Sequence, residues 1–212
     1  MAIRESVTVD SANRTPVERW MIPVPGTTVV RERILDAATA LFYAHGIHPT
    51  GINEIVRRAE TTKVTLYRHF PSKEDLALAY LRRRADFDRT NIAEASKLAA
   101  ANAAPAFDAI AENIGIESYA PGFRGCPFIN AAAEYGDADN PVRQLVDSHR
   151  AWFKGAIEQL LEGTRVKNRS QAAAEIVMLR DGAMVSGYLG NADEVAGALR
   201  RASQAVIDAH SN

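Results

Sequence analysis

Over the first 28 residues apolar and polar positions follow no period, but from Val30 onward apolar side chains recur at helical spacing. Ile34, Leu35, Ala38, Leu41 and Phe42 fall on one helical face, and Gly46 offers a left-handed stop to that helix. A second, short helix is predicted from about Ile52 to Ala59, with Ile52, Ile55 and Val56 as its apolar side and Pro49 and Thr50 as entrance and cap. A third follows closely, about Lys63 to Phe70, with Thr61 or Thr62 as N-cap, and Pro71 breaks it. Ser72-Lys73-Glu74-Asp75 sets an acid three positions after a serine, a capping-box pattern. It opens a long helix carrying Leu76, Ala79, Tyr80, Arg83 and Phe87 along one side.

Further on, Pro105 opens a helix to about Tyr119, and Pro121, Gly122 and Gly125 mark a loop. Pro127 starts a short helix through Asn130 and Glu134, and Gly136 to Pro141 form a polar break. Val142 to Leu161 and Gln171 to Leu189 read as longer helices, the second apolar nearly all round, and Asp193 caps a last one. Strand-type alternation is scarce. The expectation is an all-α chain of about nine helices, divided into an extended or disordered arm (1–28), a helix-turn-helix unit (29–75) and a larger helical unit (76–212). Within the arm, Arg4, Arg14 and Arg19 alternate with Pro16, Pro23 and Pro25, and Trp20 is the residue able to pin part of it down. A basic arm reaching DNA is weighed against a leader without a role, and the second reading is preferred.

Composition narrows the function. With 212 residues and 47% hydrophobic content a sizeable core is available. A formal net charge of −1 gives the whole no positive field, so a nucleic-acid role must rest on local charge. Cys126 is the single cysteine, which excludes an intrachain disulfide or a multi-cysteine zinc site and fits a reducing cytoplasm. No apolar run approaches the ~20 residues of a spanning helix, so a soluble protein without a membrane partner is expected. Neither a cofactor nor a metal is expected.

The chemistry concentrates between Thr50 and Lys73. Two short helices joined tightly and packed on a preceding one give helix-turn-helix geometry, whose second helix can enter the DNA major groove. Lys63 and Thr65 then face base edges: lysine donates to guanine, threonine serves either base type, and Val64 suits a thymine methyl. Tyr67, Arg68 and His69 are donors for phosphate oxygens, and Lys73 with its free backbone N–H groups adds another phosphate contact. Thr50 and Thr62 complete the candidate DNA-binding set. Tyr67 has a structural rival, a core aromatic beneath the motif; Leu66 and Phe70 are assigned to the core. From Ile52 to Lys73 five basic residues (Arg57, Arg58, Lys63, Arg68, Lys73) face two acids (Glu54, Glu60), so the segment is positive although the chain is not.

The run Thr65-Leu66-Tyr67-Arg68-His69-Phe70-Pro71-Ser72-Lys73-Glu74-Asp75-Leu76 resembles the recognition-helix signature of the TetR family of regulators, and Arg31 to Phe42 with Ala44-His45-Gly46 resembles that family's first helix. Gly125 to Glu134 and Leu179 to Ala183 are similar to the ligand-binding half of one TetR branch. One departure stands in the turn, where the family's glycine and apolar residue are replaced by Glu60-Thr61; a non-glycine held left-handed there costs about 1 kcal/mol. The resemblance implies a homodimer that pairs through its last two helices, a double-stranded, pseudo-palindromic DNA operator and a small-molecule effector bound in the C-terminal half.

Independently of that, a helix apolar on all sides must be covered twice, and Gly182, Ala183, Ser186 and Gly187 would admit a second helix closely. Candidate ligand contacts are aromatics and isolated polar groups on otherwise apolar helices: Phe87, Tyr119, Phe123, Cys126, Phe128, Asn130, Glu134, His149, Trp152, Phe153 and Met178. Each has a plainer reading as core or surface. Nothing near Cys126 in sequence favours its thiolate. Cys126, His149 and Asp181 could be drawn as an enzyme's triad, but nucleophile elbow, phosphate-cradling loop and metal-ligand spacing are missing from the sequence. A helical adaptor leaves the local basic excess unexplained. The expected mechanism is a two-state switch in which ligand shifts the helix that begins at Ser72.

Overall fold

The structure, a computed structural model, describes residues 15–21, 26–99 and 103–211. They form ten helices and no strand: α1 Pro16–Trp20, α2 Val29–His45, α3 Ile52–Arg58, α4 Lys63–His69, α5 Lys73–Ser96, α6 Ala104–Tyr119, α7 Pro127–Glu134, α8 Pro141–Leu160, α9 Arg169–Tyr188 and α10 Ala192–Ser211. The all-α expectation holds, and nine of these helices match the expected order.

The tenth, α1, lies in the segment read as an extended or disordered arm. Thr15 and Glu18 form a full capping box around Pro16 at the first turn. Trp20 is buried edge-on against Tyr43 of α2, with ring centroids 4.8 Å apart. Five residues are too few for a helix to persist alone, so this tertiary anchor and the cap together account for it. Arg4, Arg14, Pro23 and Pro25 lie outside the described residues.

Caps fix the helices near the reading head. Thr62 accepts the Thr65 N–H at 3.2 Å, deciding between Thr61 and Thr62, and Ser72 with Asp75 forms the expected capping box. Gly46 ends α2 at φ 94°. Glu60 takes up φ 48° between α3 and α4, the left-handed position anticipated for it, and Arg33 Nη2 donates to its carbonyl at 3.4 Å.

Two apolar clusters follow. The larger runs from Ile34, Phe42, Ile55, Leu66 and Phe70 through Leu76 and Tyr80 to Ile114, Phe128, Val146 and Met184, so the N-terminal three-helix unit and the C-terminal unit share one core. The smaller, at the far end, gathers Ile92, Phe107, Phe153, Ile157, Leu160 and Ile176. Helix α5 threads both: its first turns pack on α2, and later ones face α6 and α8. Beyond it, α10 packs on α6 and α9.

Candidate nucleic-acid interface and ligand cavity

On α4, Leu66 is fully buried and the C-cap Phe70 nearly so, which turns the opposite face outward. Val64 is 81% exposed and Tyr67 44% exposed, and Lys63 and Arg68 are exposed beside them. An apolar side chain as open as Val64 has no role in this fold's core. Arg57 and Arg58, also exposed, end α3 next to it. The outward face thus offers lysine, arginine and tyrosine donors around an apolar tip, which suits base edges and phosphates in a major groove.

Several side chains tie the reading head to the C-terminal unit: Tyr43 donates to the Gly125 carbonyl and accepts from the Arg124 N–H. Glu134, at the end of α7, accepts the backbone N–H of Ile47 at 2.8 Å through one oxygen and that of His48 through the other. Lys73 Nζ donates to the His48 carbonyl at 2.9 Å, and partial burial lowers its pKa against the opposing pull of Glu134. Glu74, also on α5, accepts from Asn140 at 2.9 Å, adding another tie.

A cavity of about 410 Å³ opens between α5, α6, α8 and α9. Its apolar wall includes Ile92, Leu98, Ile110, Ile114 and Phe153; its polar end holds Arg84, Asp88, Asn91, Asn113, Glu117 and Arg180. Arg84 is the hub: it grips both oxygens of Glu117, pairs with Asp88 Oδ1 at 2.8 Å, and its guanidinium lies 4.5 Å from the Trp20 ring centroid. Burial disfavours its charge, but Asp88 and Glu117 outweigh burial and raise its pKa. Asp88 is likewise buried, and Arg84 and His149 hold its pKa below the usual range. His149 Nε2 stands 3.3 Å from Asp88 and its ring stacks on Phe128 at 3.7 Å; burial lowers its pKa despite Asp88.

Comparison with known proteins agrees with this architecture. The family described as bacterial regulatory proteins, TetR family, matches residues 34–80, and the tetracyclin repressor-like C-terminal domain matches residues 114–203. The crystal structure of SCO4454, a TetR-family transcriptional regulator from Streptomyces coelicolor, superposes with a TM-score of 0.80 at 38% identity, over 86% of this chain and 96% of that one. The chain belongs to the TetR family. The HTH-type transcriptional regulator LmrA of Bacillus subtilis is 29% identical over 161 residues, 74% of this chain and 85% of its own length. A TetR-type regulator from Streptomyces avermitilis (TM-score 0.75, 23% identity, 86% of this chain and 98% of that one) shares the fold. As a TetR-family protein the chain is a DNA-binding transcriptional regulator with a helix-turn-helix.

Within this TetR architecture the sequence-derived DNA set divides. Lys63, Val64, Tyr67 and Arg68 point outward, and Thr65 and His69 are half-exposed on the same helix. The core alternative for Tyr67 is ruled out by its exposure. Thr62 is exposed, but its hydroxyl caps α4. Thr50 must be withdrawn: it is 1% exposed and its hydroxyl donates to the Gly46 carbonyl at 2.7 Å, while Gly51 takes the N-cap of α3.

The ligand set fares worse. Of eleven candidates only Phe153 lines the cavity; Trp152 lines a neighbouring recess with Arg89 and Leu160. His149 stands behind Asp88, and Phe87 lies under the guanidinium of Arg84. Phe123, Cys126 and Phe128 are buried core. Tyr119 is exposed and bonded to Asp193, Asn130 donates to the Arg124 carbonyl, Glu134 holds the reading head, and Met178 is 72% exposed. The Cys126–His149–Asp181 grouping is not assembled either: Arg180 Nη1 donates to Cys126 Sγ at 3.2 Å, His149 faces Asp88, and Asp181 pairs with Arg150 at 2.6 Å. Sequence reasoning missed Arg84, Asp88 and Glu117. The available signal was Arg84 and Asp88 continuing the Leu76–Tyr80 stripe at four-residue steps.

Proposed function

We propose that the protein is a homodimeric repressor that acts in the cytoplasm and leaves a pseudo-palindromic operator when a small molecule fills the α5–α6–α8–α9 cavity. The observation that carries this reading is α5 itself: Lys73 at its start bonds the α2–α3 loop, and Arg84, Asp88, Asn91, Ile92 and Leu98 line or flank the cavity further along the same segment. A ligand that shifts α5 therefore shifts the mount of the reading head. Such a switch works to the extent that the ligand binds the two arrangements with different affinity.

Pairing of two copies is supported by α9. Met178, Val185 and Leu189 are exposed on one stripe, with Tyr188 beside it, and Gly182 between them would bring a Cβ into open space. Such an apolar stripe is an unfinished helix–helix interface. In a twofold dimer the reading helices meet half-sites roughly 34–36 Å apart or a multiple of that.

Fluorescence anisotropy with duplexes from upstream of the gene tests the reading. Wild-type binding should be sequence-selective and should weaken with salt. Lys63→Ala should relax sequence preference, and Lys73→Ala should weaken all duplexes alike. Met178→Asp with Leu189→Asp should yield monomers in sedimentation and lose operator binding. Binding that never distinguishes one duplex from another, or tight operator binding by the monomeric variant, would overturn it.

A further inference from the structure

The charges at the polar end of the cavity do not cancel. Arg84 pairs with two of the three carboxylates that line the cavity, Glu117 and Asp88. Arg180 shares Asp181 with Arg150, and Glu94 at the rim is bonded to Lys97. Arg19 of α1 has no carboxylate partner among the described residues; its Nη2 donates to the neutral amide oxygen of Asn113, a cavity residue, at 2.8 Å. Four guanidinium groups thus share three carboxylates. Burial lowers the Arg19 pKa, with Glu117 pulling the other way and Arg84 adding to the fall.

The unsatisfied buried atoms have the same bias. Arg19 Nη1, Arg84 Nε and Asn91 Nδ2 are donors without acceptors, and Arg84 and Asn91 line the cavity itself. The orphan acceptor on the cavity lining, Asp88 Oδ2, already faces His149 Nε2 at 3.3 Å. Buried donors left unmatched are costly, and a group that accepts from them and carries negative charge relieves both deficits. The rest of the wall (Ile92, Leu98, Ile110, Ile114 and Phe153) offers only hydrocarbon. The cavity's size lies within the roughly 300–1,000 Å³ of small-ligand sites.

We propose that the cavity selects an apolar monocarboxylate, its carboxylate at the Arg19–Asn113–Asn91 end and its hydrocarbon body along Ile92, Ile110 and Phe153. The inference rests on the cavity being the effector site, and it assigns the head-group choice to Arg19, on a helix outside the residues matched by either family domain.

Isothermal titration of the full chain with octanoate, octanol and octylamine separates the two levels. Octanoate should bind tightest and octylamine weakest. Arg19→Gln should weaken octanoate by about tenfold or more while leaving octanol unchanged, which also reports an intact fold. Arg19→Lys should keep the wild-type order. Ala109→Trp, which fills the cavity from α6, should abolish binding of octanoate and octanol alike. Octanol or octylamine matching octanoate, with Ala109→Trp still blocking, overturns the carboxylate assignment and leaves the cavity standing. Octanoate binding untouched by Ala109→Trp, or no binding of any of the three, overturns the cavity as the effector site and the assignment with it.

Discussion

Glu134 accepts the backbone N–H of Ile47 at 2.8 Å, joining the last turn of α7 to the loop that leads into the reading head. A charged acceptor serving two main-chain donors, those of Ile47 and His48, is a strong arrangement. Glu134→Ala would leave the partly buried Ile47 amide without its acceptor, while the exposed His48 amide turns to water. The expected loss is about 2 kcal/mol, seen as a lowered urea midpoint, with operator affinity falling more than helix content. An unchanged midpoint would mean that water replaces the carboxylate without cost.

Glu60 is a non-glycine at φ 48°. Glu60→Gly removes the Cβ strain but adds freedom to the unfolded chain, for a net gain of a few tenths to about 1 kcal/mol. Removing an acid beside α4 should also tighten DNA binding at low salt. Thermal melts and salt-dependent anisotropy measure the two effects separately.

His149 carries a pH signature. Burial holds its folded pKa below the ordinary 6.5. As pH falls through that value the unfolded chain takes up a proton that the folded chain refuses, so stability drops until the folded pKa is passed. Asp88, also depressed, adds a further loss as pH falls below 3.8, where the unfolded carboxylate protonates and the folded one does not. His149→Gln should flatten the stability slope just below pH 6.5. Equal slopes for both proteins in urea melts would contradict the assignment.

Gly187 of α9 packs directly against Ser118 of α6. A Cβ there would collide with the hydroxyl of Ser118 and stand 2.8 Å from its Cβ, with Phe123 adjacent. Gly187→Ala should cost about 1–3 kcal/mol, and Ser118→Gly in the same chain should restore much of it. A double-mutant cycle gives the answer directly.

The helices and caps were readable because periodicity and capping are local: Ser72 with Asp75, Thr62 before Lys63, and Gly46 after α2 all behave as their sequence positions suggest. α1 carries the same local signal, a capping box at Thr15-Pro16-Val17-Glu18 with proline at the first turn, but five residues show no helical period, and the burial of Trp20 on Tyr43 that holds it is not local. The reading face of α4 followed from which residues had to be core. The cavity did not. Its polar end centres on Arg84, paired with Asp88 within α5 and with Glu117 across to α6, and an arginine that will be buried looks in sequence like one that will be solvated. The outward position of Met178 and the docking role of Glu134 likewise depend on neighbours that are distant along the chain.

Arg84 touches both the floor of the cavity and, through Trp20 and Tyr43, the flank of α2. Altering it to suit a new ligand would loosen the joint between the two halves at the same moment. Relatives that diverge in what they recognise should therefore vary along the hydrocarbon wall, at Ile92, Leu98 or Ile110, and keep the arginine where it stands.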